Sequence, residues 1–184
     1  MKTSLTNESD TNNTAPTTYY QLLEISVREL LIEKGVLSAE DIRNAVKEMD
    51  HRGPELGAQV VARAWVDPQF KHSLLQDAPS TVKTLGLDIG PVQLLVVENT
   101  PEVHNLIVCT LCSCYPRTLL GLPPDWYKSR EYRSRAVLEP RSVLLEFGTD
   151  ISDEVDVRVH DSTADLRYLV LPQRPAGTGH FTED

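Results

Sequence analysis

The stretch Cys109-Thr110-Leu111-Cys112-Ser113-Cys114 contains all three cysteines of this 184-residue chain. A disulfide framework needs cysteines that are separated along the chain and have suitable Cβ geometry, so this cluster does not form one. One face of a helix could carry Cys109 and Cys112, but Cys114 would point elsewhere. We therefore predict a tight loop in which the three sulfur atoms converge on one point.

The same loop would place two peptide nitrogens, those of Ser113 and Cys114, between the sulfurs of Cys112 and Cys114. A metal bound by both sulfurs and both nitrogens would close small chelate rings. Because peptide nitrogens bind a metal only after losing their proton, a strongly Lewis-acidic trivalent ion suits this site better than zinc. The residues alone leave two alternatives open: a zinc site that includes His104, and a redox pair formed by Cys109 and Cys112.

The residues on both sides of the cysteines carry further motifs in collinear order. These motifs are Glu98-Asn99-Thr100, Val103-His104-Asn105, Val108–Cys114, Gly121–Lys128, Tyr132–Arg135, Tyr168 and Leu171–Thr178. Together they resemble the α subunit of nitrile hydratases and the related γ subunit of thiocyanate hydrolase. With these flanking motifs included, the zinc and redox alternatives lose most of their weight.

The resemblance implies a metal centre with specific ligands. A cobalt(III) or iron(III) ion would be bound by the sulfurs of Cys109, Cys112 and Cys114 and by the main-chain nitrogens of Ser113 and Cys114. Cys112 and Cys114 would be oxidised to sulfinic and sulfenic acid, and Cys109 would remain a thiolate opposite the substrate position. Thr110 matches the form of the motif that is usual in cobalt enzymes, so cobalt is favoured over iron.

The resemblance also implies a reaction, the hydration of a nitrile to an amide, with Cys112, Ser113 and Cys114 at the reacting centre. A Lewis-acidic metal can polarise a nitrile or activate a water molecule, and the oxidised Cys114 is a second possible nucleophile. Two alternatives remain at this point. They are thiocyanate hydrolysis and a non-catalytic metal-binding module with thiolate ligands.

Composition limits the other classes of function. The net charge of −9 disfavours nucleic acid or an anionic membrane as a partner. The chain has no apolar run long enough to span a bilayer, and its N-terminus has no signal-peptide core. Clustered unpaired cysteines without an export signal predict a cytoplasmic protein.

The pattern of apolar residues predicts an α+β fold with most helices in the first half. Residues 1–18 are predicted to form a disordered tail, residues 19–76 a helical arm that packs on a partner subunit, and residues 77–184 the catalytic metal-binding core. The resemblance implies that this core has four α-β-β-α layers. We predict helices over Tyr19–Lys34, from Ser38 to before Gly53-Pro54, and over Glu55–Val66, Pro68–Gln76, Val82–Leu87, Lys128–Val137 and Pro140–Phe147. The predicted strands are Val92–Val97, Asn105–Val108, Val155–His160 and Leu166–Leu171.

Oxidised cysteines are anionic and need cationic neighbours. This chain offers four candidate arginines: Arg117, Arg133, Arg135 and Arg167. In the family two arginines of the β subunit take this role, so the resemblance implies a β-subunit partner. Relatives usually continue beyond the position of Asp184, and the resemblance to the three-subunit thiocyanate hydrolase and toyocamycin nitrile hydratase offers one alternative, a β subunit that is divided into two chains.

Arg117 departs from the usual family pattern, which has a tryptophan after the Tyr-Pro pair. Arg117 follows Cys114 by three residues, so we expect it to line the substrate pocket. An arginine can stack on a heteroaromatic ring and donate several hydrogen bonds. This favours a larger and more polar nitrile than the small aliphatic ones, although Arg117 could instead point outward and pair with a partner acid.

Overall fold

The structure, a computed structural model, describes residues 18–50 and 52–183. The predicted tail over residues 1–18 lies outside this range except for Thr18, which caps the first helix. The chain divides into two compact units, residues 1–46 and residues 47–184. Within the described range, no helix has the length and apolar character needed to span a bilayer.

The first unit contains α1 (Tyr19–Glu33) and most of α2 (Ala39–Asp50). Thr18 and Gln21 cap α1 reciprocally, and Ser38 and Asp41 do the same for α2, with Asp41 in place of the usual glutamate. Gly35 follows α1 with a φ of 65°, as predicted for a helix stop. Among the described residues of these two helices, none is buried.

The second unit begins its core with three helices. They are α3 (Glu55–Val66), α4 (Pro68–Gln76) and α5 (Ala78–Lys83). The prediction of a helix over Val82–Leu87 was wrong, because the helix starts earlier: the Asp77 carboxylate accepts a hydrogen bond from the Ser80 N–H at 3.1 Å. Proline in the first turn adds to this start signal, which the apolar pattern alone did not reveal.

Two parallel strand pairs form the middle of this unit. β1 (Gln93–Glu98) pairs with β4 (Leu166–Leu171), and β2 (Val103–Val108) pairs with β3 (Asp156–Asp161). All four strands lie within two residues of their predicted bounds. The α3–α5 helices pack on the first pair around buried residues such as Leu74 and Leu94.

The last helices cover the other strand pair. They are α6 (Arg117–Leu120), α7 (Asp125–Lys128), α8 (Arg130–Leu138) and α9 (Pro140–Glu146). α8 packs on β2 and α9 on β3, around a second buried cluster that includes Tyr127 and Tyr132. The two strand pairs contact each other, which completes the α-β-β-α order of layers. α6 is absent from the predicted helices, because a single helical turn is too short to show a periodic apolar pattern.

Candidate metal centre

Two parallel strand ends hold the cysteine loop, which we define as residues Cys109–Cys114. Val108 is the last residue of β2 and is in register with Asp161, the last residue of β3. The Ser162 N–H donates to the Val108 carbonyl at 2.7 Å, so strands β2 and β3 remain hydrogen-bonded up to the residue where the loop begins. The core therefore fixes where the loop enters.

The three cysteine sulfurs converge, as predicted. The Sγ atoms of Cys109 and Cys112 are 3.4 Å apart, those of Cys112 and Cys114 are 3.1 Å apart, and all three lie within 4.8 Å of one another. With metal–sulfur bonds of about 2.3 Å, two sulfurs are about 3.3 Å apart at a right angle and about 3.8 Å apart at the tetrahedral angle. The spacing of Cys112 from each of the other two sulfurs thus fits right-angled coordination better than a tetrahedral zinc site.

The backbone N–H groups of the loop face these sulfurs. The Cys112 N–H donates to Sγ of Cys109 at 3.3 Å, and the N–H groups of Ser113 and Cys114 lie close enough to Sγ of Cys112 to lower the pKa of that thiol. The peptide nitrogens of Ser113 and Cys114 are therefore oriented toward the sulfurs that a shared metal would bind. The loop consequently fits an ion that takes both sulfur and amide-nitrogen ligands.

His104 does not join this group. Its Nδ1 lies 3.4 Å from the Asn99 side-chain amide, and among the described residues the three cysteines form the only cluster of metal-ligating side chains. The alternative of a zinc site completed by His104 is therefore not supported. The cysteines are free thiols, not disulfide-bonded.

Cys112 and Cys114 differ in their environment. Hydrogen bonds from the side chains of Cys114 and Cys109 lower the pKa of Cys112, which is exposed. Burial, together with the hydrogen bonds to Cys112 and Cys109, raises the pKa of Cys114 to about 12, although the positive charge of Arg167 acts in the opposite direction. Cys112 thus loses its proton more readily than Cys114, and a metal would have to displace the proton of the Cys114 thiol.

Two residues that sequence analysis did not identify hold the loop from outside. The Asp161 carboxylate accepts hydrogen bonds from the Thr110 N–H at 2.9 Å and the Thr110 hydroxyl at 2.6 Å. The buried Tyr127 hydroxyl donates to the Cys114 carbonyl at 2.9 Å, and burial raises the pKa of Tyr127, so the phenol stays a donor. The available signal for Asp161 was its position just after the predicted strand Val155–His160, but only the parallel pairing with β2 brings it to the loop.

We expect Asp161→Asn to weaken metal retention by roughly 10–100-fold, which is the usual range for a residue that orients a metal ligand. The asparagine amide nitrogen would face the Thr110 hydroxyl, which would have to accept a hydrogen bond instead of donating one, and both contacts would lose the strength that the carboxylate charge gives them. Asp156→Asn, at the opposite end of the same strand and paired with Arg158, is the matched control. Metal content after dialysis against a chelator measures the effect, and equal retention by both variants would contradict the role given to Asp161.

A cavity of about 400 Å³ opens onto the cysteine loop. Its lining includes Cys112, Ser113 and Cys114 together with Arg117 and Arg167. Among the lining residues, all of which the structure describes, there is no aspartate or glutamate. The cavity therefore combines the cysteine loop with positive charge.

The four candidate arginines separate in the structure. Arg117 and Arg167 line the loop cavity. Arg133 donates to the Thr110 carbonyl at 3.4 Å, on another side of the loop. Arg135 forms ion pairs with Glu139 and Glu146, so it is committed to the α8–α9 surface.

Comparison with known proteins places these features in a family context. The sequence profile of the nitrile hydratase α chain matches residues 18–184. The α subunit of the low-molecular-weight cobalt-containing nitrile hydratase of Rhodococcus rhodochrous is 52% identical over 163 residues, which cover 86% of this chain and 78% of that subunit. The γ subunit of thiocyanate hydrolase from Thiobacillus thioparus is 44% identical over 177 residues, which cover 90% of this chain and 73% of that subunit.

Solved structures agree with these matches. A thiocyanate hydrolase variant superposes with a TM-score of 0.84 at 41% identity, covering 90% of this chain and 82% of that chain. An Fe-type nitrile hydratase variant from Comamonas testosteroni Ni1 superposes with a TM-score of 0.83 at 41% identity, covering 89% of this chain and 81% of that chain.

Proposed function

This chain belongs to the nitrile hydratase α-chain family, and from that membership we propose that it is the metal-carrying subunit of an enzyme that hydrates a nitrile to an amide. The observation that carries the proposal is the convergence of three cysteine sulfurs on one point beside a cavity. The direct test is to incubate the cobalt-loaded protein, with the subunit that co-purifies with it, with a nitrile and to measure the amide. A loaded complex that forms no amide from any of a broad panel of nitriles would contradict the proposal.

The proposed ligands are the sulfurs of Cys109, Cys112 and Cys114 and the main-chain nitrogens of Ser113 and Cys114. Cobalt(III) is the proposed ion, because the cited Rhodococcus relative is cobalt-containing and trivalent ions favour deprotonated amide ligands. Iron(III) is the less favoured choice, although an Fe-type enzyme is among the structural neighbours. When bound, such an ion supplies Lewis acidity.

The chain's own residues would position the reacting groups. Asp161 and Tyr127 hold the loop from two sides, so the direction in which its sulfurs point is set before substrate enters. We further propose that Cys112 and Cys114 are oxidised, as the family resemblance implies. Cys112 is exposed and has a lowered pKa, which are the properties that make a thiol easy to oxidise.

We also propose a β-subunit partner, which could be one chain or two. α1 exposes large apolar side chains, among them Tyr20, Leu22 and Leu30. Exposed apolar residues in this number are typical of a surface that another protein covers. The predicted arm over residues 19–76 also includes α3 and α4, but these helices contribute buried residues such as Val60 and Leu74 to the core of the second unit, so we propose α1 as the part that packs on the partner. A cytoplasmic location stays a prediction from the free thiols.

Thiocyanate hydrolysis is the second candidate function. The observation that favours it is the presence of two arginines in the loop cavity, because thiocyanate is an anion. A panel that compares neutral nitriles with thiocyanate separates the two reactions. Turnover of thiocyanate alone would replace nitrile hydration as the proposed activity.

Arg117 is proposed to contact the substituent of the substrate that lies away from the nitrile. We expect Arg117→Trp to lower kcat/KM for a polar heterocyclic nitrile by roughly ten- to a hundred-fold, because a stacked and hydrogen-bonded contact is lost. The same change should leave a small aliphatic nitrile nearly unaffected, and that substrate is the internal control. An equal effect on both nitriles would mean that Arg117 points outward and does not contact the substrate.

A further inference from the structure

The motifs around Asn99 and Asn105 lie outside the cysteine loop, and their role is visible in the space between the two strand pairs. Asn105 is on β2, four residues before Cys109, and only 6% of it is exposed. Its side-chain amide donates to the Glu98 carbonyl at 2.8 Å and to the Asn99 side-chain oxygen at 3.0 Å. A buried amide with both of its donor positions used in this way has a fixed orientation.

The side-chain oxygen of Asn105, Oδ1, forms a hydrogen bond with β3. It lies 2.8 Å from Nε2 of His160, and because an amide oxygen can only accept, the imidazole nitrogen must be the donor. The His160 ring also packs on Tyr168 of β4, with ring centroids 5.0 Å apart. We name Asn99, Asn105 and His160 the inter-sheet network, since its bonds join the end of β1 to β2 and β3.

The inter-sheet network lies directly behind the cysteine loop along both strands. His160 is the residue before Asp161, whose carboxylate holds Thr110 in the loop. On the neighbouring strand, Ile107 is in register with His160, and Cys109 follows two residues later. A shift of β3 relative to β2 at this level would move the Asp161 carboxylate away from the two Thr110 donors that it holds at 2.9 and 2.6 Å.

We infer that the inter-sheet network positions the metal ligands: Asn105 and His160 fix the relative position of β2 and β3, so that Asp161 holds the loop ready for the ion. His160 and Asn105 are positioning residues, since neither is among the proposed ligands. The inference rests on the proposed metal function of the loop. Under this inference, the rate at which the metal is released depends on Asn105 and His160 as well as on Asp161, which lies on the opposite face of β3 from His160.

The test compares two replacements of His160 in the full-length chain with its co-purified partner. His160→Gln keeps an N–H donor at a similar reach, whereas His160→Leu leaves the buried Asn105 oxygen without a donor. We expect release of cobalt to a chelator to be about tenfold faster, or more, in the leucine variant and close to the unmodified rate in the glutamine variant. Decay of the thiolate-to-cobalt absorption band follows the release and does not depend on catalytic activity.

Val143→Ala is the matched control for a general loss of stability. Val143 is buried against the same strand pair from the helical side, so its truncation lowers the unfolding temperature without touching the inter-sheet network. Faster release from His160→Leu than from Val143→Ala at equal loss of thermal stability supports the inference. Equal release from the two variants would overturn it.

Asn105→Asp provides a second variant if the leucine replacement does not fold. It has nearly the same shape but loses the donors toward Glu98 and Asn99, and we expect it also to speed cobalt release. Release at the unmodified rate from Asn105→Asp would overturn the inference. Absence of cobalt from the unmodified chain would instead overturn the proposed function, and with it this inference.

Discussion

Replacing Cys114 with serine should abolish metal retention. Cys114 is 8% exposed, and its sulfur lies 3.1 Å from that of Cys112, so a serine oxygen there would remove one sulfur ligand and leave a buried hydroxyl in its place. A hydroxyl is a far weaker ligand than a thiolate for an ion that prefers sulfur. We expect cobalt content to fall below about a tenth of the unmodified value and nitrile hydration to disappear.

Ser113→Ala is the control for this replacement. The proposal assigns the main-chain nitrogen of Ser113 to the metal and not its hydroxyl, so alanine should retain cobalt. Both variants should unfold at similar temperatures without metal, which separates ligand loss from a folding defect. Full cobalt content and turnover in Cys114→Ser would contradict the three-sulfur site.

Deleting residues 1–46 should prevent assembly with the partner while leaving the core folded. The deletion removes the first compact unit, and the buried core residues, from Val60 onward, all belong to the second unit. Because no described residue of α1 or α2 is buried, the deletion should leave the unfolding temperature of the second unit close to that of the full chain. An obligate interface buries roughly 2,000 Å² or more, and the deletion would remove a large share of the apolar surface that could form it. The shortened chain should therefore elute from gel filtration without the partner, at the size of a single chain.

Two point variants in the intact chain refine this test. Leu23→Glu places a negative charge among the exposed apolar side chains of α1. The control is Glu29→Gln, which replaces a polar residue of the same helix with another polar residue and leaves the apolar side chains unchanged. We expect the first to weaken assembly strongly and the second to leave it intact. A full-length chain that is monomeric and fully active alone would contradict the need for a partner.

Much of the fold was accessible from the sequence because its signals are local. β4 was predicted with its observed bounds, since apolar β-rich residues mark a buried strand wherever they occur. The position of α5 was missed because it depends on the cap at Asp77, which the apolar pattern does not show. The helix α6 has four residues, about one turn, so its apolar residues cannot recur often enough to show a helical pattern.

In the candidate site, too, the residues that are close in sequence were predicted and those that are distant in sequence were not. The convergence of the three cysteines was predicted because they lie within six residues of one another in the chain. Asp161 is 51 residues from the Thr110 that it holds, and Tyr127 is 13 residues from Cys114, so no local pattern links these pairs. They come together only through the parallel pairing of β2 with β3 and the packing of the helical layer, which depend on tertiary contacts.

We propose that the cysteine loop binds a trivalent ion through sulfur and amide nitrogen. Elemental analysis of the protein, purified with its partner from cells supplied with both cobalt and zinc, distinguishes this ion from zinc. We predict about one cobalt per chain with little zinc, because the sulfur spacing of 3.1–3.4 Å fits right-angled coordination. Stoichiometric zinc with neither cobalt nor iron would contradict the claim.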